Sequence, residues 1–131
     1  MAVVAWTVVE PPSPNVNITG LRIIKWPNLL SADSGSPYFA PQYSAKVIQL
    51  SGTAGVGGAG TIQGTLEPGT PIYGTLHSPD SVAWTFVAAD VTNNVIKQVL
   101  EDCYQIRPLM TGGDGSTSVT IYLFINTSAR R

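Results

Sequence analysis

An all-β fold, an antiparallel β-sandwich or jelly-roll-like barrel with an extended N-terminal arm, is what the 131-residue sequence predicts. Three observations carry that prediction. From Lys46 onward the chain reads as short alternating apolar and polar runs broken by turn signals, the pattern of sheets with one face on a core. Charged residues make up only 11% of the chain, about half the share in an ordinary soluble domain, and glycine, proline, serine and threonine take their place. The first 42 residues break the pattern with proline-bound segments and irregularly spaced aromatics. Hydrophobic residues, at 44%, suffice for a packed core in a chain that buries roughly two-thirds of its unfolded surface.

Taken in order, residues 1–42 read as an arm with one or two strands. "AVVAWTVVE" makes one strand, and "PPSPN" follows as a stiff connection that no helix crosses. "ITGLRIIKWPNLL" holds another, ending at Trp26-Pro27, and "SADSGSPYFAPQY" is loop-like. Trp6, Trp26, Tyr38 and Phe39 are either anchors for a partner or caps on the main core, since aromatics in small domains are usually buried.

The sandwich proper spans residues 43–127, with 128–131 as a tail. "KVIQLSG" is its first strand. "TIQGTLE" turns Ile62, Gly64 and Leu66 inward and Thr61, Gln63 and Thr65 outward. "IYGTLHS" follows a turn at Pro68-Gly69, and "VAWTFV" sets Val82, Trp84 and Phe86 on one face. "DVTNNVIKQVLED" fits both periods; its valines lean it towards extended structure. "SVTIYLFIN" has Val119, Ile121, Leu123 and Ile125 on one face and Thr120, Tyr122 and Phe124 on the other, so it reads as a central strand covered twice.

Several functions are disfavoured. A net charge of −1 with scattered basic residues offers nothing to a nucleic-acid backbone. The single cysteine, Cys103, supplies no disulfide framework. The N-terminus lacks a basic region before its apolar run, and no apolar stretch has membrane-spanning length, so neither export nor a membrane is expected. "GVGGAG" matches a dinucleotide fingerprint in form, but a period-two run follows it instead of a helix to receive a pyrophosphate; it reads as a hairpin tip. His77 is the only histidine, and the carboxylates are dispersed. Asp114 among glycines is a poor calcium set, because calcium takes six or more oxygens. No catalytic, metal or cofactor residue is assigned.

In "RPLMTGGDGSTSVTIYLF", Asp114-Gly115 is a favoured pair for a tight hairpin joining two strands. Pro108 cannot donate to a ladder, which places its strand at an edge or a bulge. Arg107 is free to pair with Asp102, with Asp114 or with a partner's carboxylate. The run "YQIRPLMTGGDGSTSVT" with its final apolar strand resembles the C-terminal end of small β-sandwich virion proteins of tailed bacteriophages. "YSAKVIQLSGTAG" and "GTIQGTL" are in keeping, and the likeness covers about the last 85 residues. Where such proteins often continue with a G-S-N-D-G-x-N-W turn, this chain has "GTLEPGTPIY".

The resemblance implies a capsid decoration or cement protein. It would be a homotrimer bound to the major capsid protein on the capsid exterior, made in a host cytoplasm. Trp6, Trp26, Tyr38 and Phe39 would then be arm contacts, with Arg107 and Asp114 holding an edge hairpin. The second reading is a carbohydrate- or receptor-binding module of a phage tail or fibre, acting through exposed aromatics.

Overall fold

The computed structural model describes residues 2–9, 21–39, 45–67, 69 and 71–126. In chain order the elements are β1 (Val3–Val4), β2 (Thr7–Val8), β3 (Leu21–Leu29), β4 (Ser34–Gly35), β5 (Tyr38–Phe39), β6 (Ala45–Thr53) and β7 (Ala59–Thr65). They continue with β8 (Gly74–Thr75), β9 (Thr85–Val87), α1 (Ala88–Thr92), β10 (Ile96–Gln98), β11 (Gln105–Gly112) and β12 (Ser118–Asn126). Two open sheets result. The first runs β1-β4-β11-β7-β8, with β5 also on β11 and β9 also on β7; the second runs β10-β6-β12-β3-β2. The fold is thus an all-β sandwich and not a closed barrel.

Inward-facing side chains of the two sheets meet as one core. On β12 the alternation performs as read: Val119, Ile121, Leu123 and Ile125 are all buried. Ile48 and Leu50 of β6 and Ile62 and Ile106 of the opposite sheet are fully buried with them. Each such side chain contributes roughly 1.5–3 kcal/mol relative to an exposed one. Lys46, also inward on β6, is almost wholly buried and forms an ion pair with Asp102 at 3.3 Å.

The reading of residues 1–42 as a separate arm is corrected for the described part. β3 is a nine-residue strand paired along its length with β12. β1 pairs in parallel with β4, and β2 pairs with β3. "LRIIKWPNL" alternates well enough to fill a place in the second sheet, and Trp26 enters the core with no exposed surface. "SADSGSPYF" also contributes, because β4 and β5 both pair with β11. Positions 40–42, where the arm was expected to end, lie outside the described residues.

The hairpin expected at Asp114 is corrected as well. β11 lies in the first sheet and β12 in the second, so the loop crosses from layer to layer. "GVGGAG" does the same between β6 and β7. A turn-forming sequence specifies a reversal of the chain; whether the reversal stays within a sheet depends on which strands find partners.

Pro108 is not on an edge strand. Ile62, opposite it on β7, spends both backbone groups on its other side, donating to the Trp84 carbonyl and accepting from the Leu76 N–H, each at 2.9 Å. The Pro108 nitrogen therefore faces the other neighbours, and it falls at the break between the pairing with β4 and the pairing with β5.

Three smaller differences follow from strand ends and coverage. Thr61 and Thr65 are buried although read as outward; the Thr61 hydroxyl donates to the Trp84 carbonyl at 3.2 Å. Leu66 and Val82 lie beyond the ends of β7 and β9 and are exposed, while Trp84 and Phe86 are buried as expected. Residues 88–98 divide between the two periods: α1 is one short turn, with the Asp90 carboxylate accepting the Val87 N–H at 3.0 Å, and β10 follows.

Candidate contact surfaces

At one end of the sandwich the two crossover loops are fastened together. The Asp114 carboxylate accepts the Val56 N–H at 3.0 Å from the other loop, and the Ser116 N–H and hydroxyl at 2.9 and 2.7 Å from its own. The buried Thr117 hydroxyl accepts the Asp114 N–H at 2.8 Å and donates to the Ala54 carbonyl at 2.7 Å. These bonds occupy most of the acceptor positions of the Asp114 carboxylate. Asp114 is thus a structural latch and not the holder of an edge hairpin. Among the described residues no group of three or more His, Cys, Asp or Glu side chains is gathered as a metal site.

Hydrogen bonds to the charged form, first from the Val56 N–H and then from Ser116, hold the Asp114 carboxyl at about 2, below its ordinary 3.8. A carboxyl depressed by folding adds stability above its unfolded value and loses it as pH falls through the folded one. Wild type should therefore melt above Asp114→Asn at neutral pH, and the gap should close as pH falls from about 4 to about 2. Thermal melts of both proteins across that window test it; a gap that stays constant would remove the carboxylate from the latch.

Arg107 meets neither Asp102 nor Asp114. On the outer face of the first sheet its Nε donates to the Gln63 amide oxygen at 3.1 Å, and its guanidinium lies 3.7 Å from the centre of the Tyr73 ring. Among the described residues no carboxylate is recorded against it. Glu101 holds His77 at two points: the His77 backbone N–H donates to Oε1 at 2.7 Å, and its Nδ1 lies 2.5 Å from Oε2. Burial pushes the Glu101 carboxyl up, but these contacts outweigh it and leave the group below its usual value. The pair ties the chain just after β8 to the segment before β11.

The predicted aromatics separate into three environments. Trp26 is core, with Nε1 donating to the Ser36 carbonyl at 2.9 Å. Trp6 and Tyr38 pack edge to face at 4.8 Å between centroids and are half-buried against that core. Phe39 alone is exposed, at 53%, and it pairs edge to face at 5.2 Å with Tyr104, which is 40% exposed. Sequence reasoning passed over Tyr104. Near it the chain also exposes Leu66 at 77% and Ile72 at 81%, on the rim of a cleft of about 410 Å³. The Tyr104 N–H bonds the Thr65 carbonyl, which ties these residues to one end of the first sheet.

A second surface was missed entirely. β12 is central, as its composition requires, but its outer side chains are only half-buried, so the double coverage read from the sequence is corrected. Tyr122 and Phe124, with Val9, Ile23, Val47 and Ile96, line a shallow groove of about 450 Å³ on the outer face of the second sheet. The signal was present as apolar residues on both faces of "TIYLFI"; what covers the second face is a question periodicity does not answer.

No helix among the described residues is long and apolar enough to cross a membrane. Comparison with protein-family models, with curated proteins and with solved structures gives no match.

Proposed function

We propose that the chain is a structural virion protein that binds and stabilises a bacteriophage capsid, with the major capsid protein as its partner and the capsid exterior as its place. The observation that carries this reading is the apolar end of the first sheet. Four large side chains, Phe39, Leu66, Ile72 and Tyr104, stand in solvent there on a protein with very little surface charge. A soluble monomer rarely leaves such a group open, and aromatic anchors of this kind dominate the energetics of protein contacts. The resemblance of about the last 85 residues to small β-sandwich virion proteins of tailed bacteriophages suggests the partner. Many copies bridging adjacent shell subunits would add weak contacts into strong cohesion.

The test is co-sedimentation with empty shells assembled from the major capsid protein of a tailed bacteriophage. The double variant Phe39→Ser/Tyr104→Ser should retain the wild-type circular dichroism and bind shells about tenfold more weakly or worse. Equal binding by the variant would remove the surface from the reading.

The carbohydrate-binding alternative draws on the same pair. An edge-to-face arrangement leaves ring surface open to the apolar face of a sugar, and the Gln105 side chain follows Tyr104 in sequence. A glycan-array response that disappears in the double variant, without shell binding, would favour it.

A further inference from the structure

We propose that the outer face of the second sheet is an interface between two copies of this chain, packed sheet on sheet about a two-fold axis along β12. The register of the strands sets the side chains of this face in rows. One row reads Val9, Ile23, Phe124, Val47 and Gln98; the next reads Thr7, Lys25, Tyr122, Gln49 and Ile96. The outer face of an antiparallel sheet left to solvent is ordinarily polar. Here the central strand carries two aromatic side chains, and the aliphatic residues beside Phe124 are on both neighbouring strands.

The rows match themselves under a two-fold rotation. Turning a copy about β12 exchanges the β3 side for the β6 side, so Ile23 meets Val47 of the other copy and the two β12 aromatics meet across the axis. Lys25 is the only charged side chain among the described residues facing this way, and it meets the amide of Gln49 instead of another charge. With Lys25 placed opposite an amide by the symmetry, two copies meet on this face without opposing like charges among the described residues. Closed two-fold pairs are also the commonest assembly of identical chains.

The size of the face agrees. β3, β6 and β12 are nine residues each. At about 3.4 Å per residue and about 4.8 Å between strands, they and the short flanking strands present roughly 500 Å² in projection, more once side-chain relief is counted. Specific interfaces use about 600–1,000 Å² per partner, so with its side-chain relief the face falls at the lower end of that range. The dimer does not depend on what the apolar end of the first sheet binds, but it would present two such ends together. It differs from the trimer implied by the resemblance, because a three-fold ring joins two different surfaces and cannot lay one face on itself.

Sedimentation analysis of the full chain over a range of concentrations tests this. Wild type should pass from monomer to dimer with increasing concentration. Tyr122→Lys and Val47→Lys, both at outward positions, should each weaken the association roughly tenfold or more with unchanged circular dichroism, while Thr111→Lys on the other sheet should not. Should either lysine variant fail to fold, hydroxyl-radical footprinting of wild type decides the matter. Tyr122 and Phe124 should be protected at high concentration and oxidised on dilution. A wild type that stays monomeric, a trimer, a dimer indifferent to both lysines, or β12 aromatics equally reactive at all concentrations would each overturn the interface.

Discussion

Trp26→Ala is expected to lower folding stability by about 3–5 kcal/mol, the range for emptying a fully buried aromatic site. Trp26 has no exposed surface, and its indole N–H donates to the Ser36 carbonyl at 2.9 Å. Its ring also fits against Gly35 so closely that a β-carbon there would come within 2.5 Å of Cδ1. Truncation removes the apolar volume and leaves a carbonyl without its donor, and the tight surroundings have little freedom to close the gap. In a chain of this size the melting temperature should fall by about 4 °C for each kcal/mol, so the loss is readily measured by thermal or denaturant unfolding. A tryptophan anchoring an arm on a partner would behave oppositely, with binding lost and stability unmoved. For the same reason, deleting residues 1–42 should unfold the protein, since it removes β3 and Trp26 together.

Gly55→Ala should cost about 2–4 kcal/mol, through two separable effects. Gly55 has φ of +71°, and a β-carbon on it would sit 2.2 Å from Asp114 Oδ1 and 2.7 Å from Thr117 Oγ1. The substitution therefore strains the backbone and pushes directly on the groups that fasten the crossover loops. Gly57 supplies the control. Its φ is +72°, yet nothing lies within 4 Å of an added β-carbon. Gly57→Ala should then cost only the backbone part, about 1–2 kcal/mol. Equal losses at the two positions, by chemical denaturation, would show that the inter-loop contact adds nothing. Either way the glycines of "GVGGAG" act through conformation and close approach, with no ligand required.

The strands were legible where alternation ran unbroken. "SVTIYLFIN" and "KVIQLSG" were both read as strands, and the split of the first into Val119, Ile121, Leu123 and Ile125 against Thr120, Tyr122 and Phe124 holds, because a period of two commits every second side chain to one face. Trp84 and Phe86 followed the same rule. It failed at Leu66 and Val82, which belong to the pattern but lie past the last paired residue. It fell short differently for residues 21–39, where a strand was read but was ended at Trp26-Pro27 and set in an arm, whereas β3 runs on to Leu29 inside the second sheet. Proline bars a central ladder only where its missing N–H is needed, and neither Pro27 nor Pro108 is placed so as to break its strand.

The contact surfaces were less legible. Of six residues selected as contacts, Phe39 is openly exposed, Trp6 and Tyr38 are half-buried, and Trp26 is core. Arg107 rests on Gln63 and Tyr73, and Asp114 holds a loop. Tyr104, Tyr122 and Phe124 were each visible as letters, but their exposure depends on what other strands leave uncovered. By itself the sequence determined the all-β class, the approximate positions of the long strands and their inward faces, since those depend on local alternation and turn chemistry. Tertiary structure alone decided which sheet each strand joins, that both glycine-rich loops cross between layers, and which apolar faces remain open. Those are outcomes of pairing between distant segments, and a side chain becomes a surface only after every possible neighbour has taken its place.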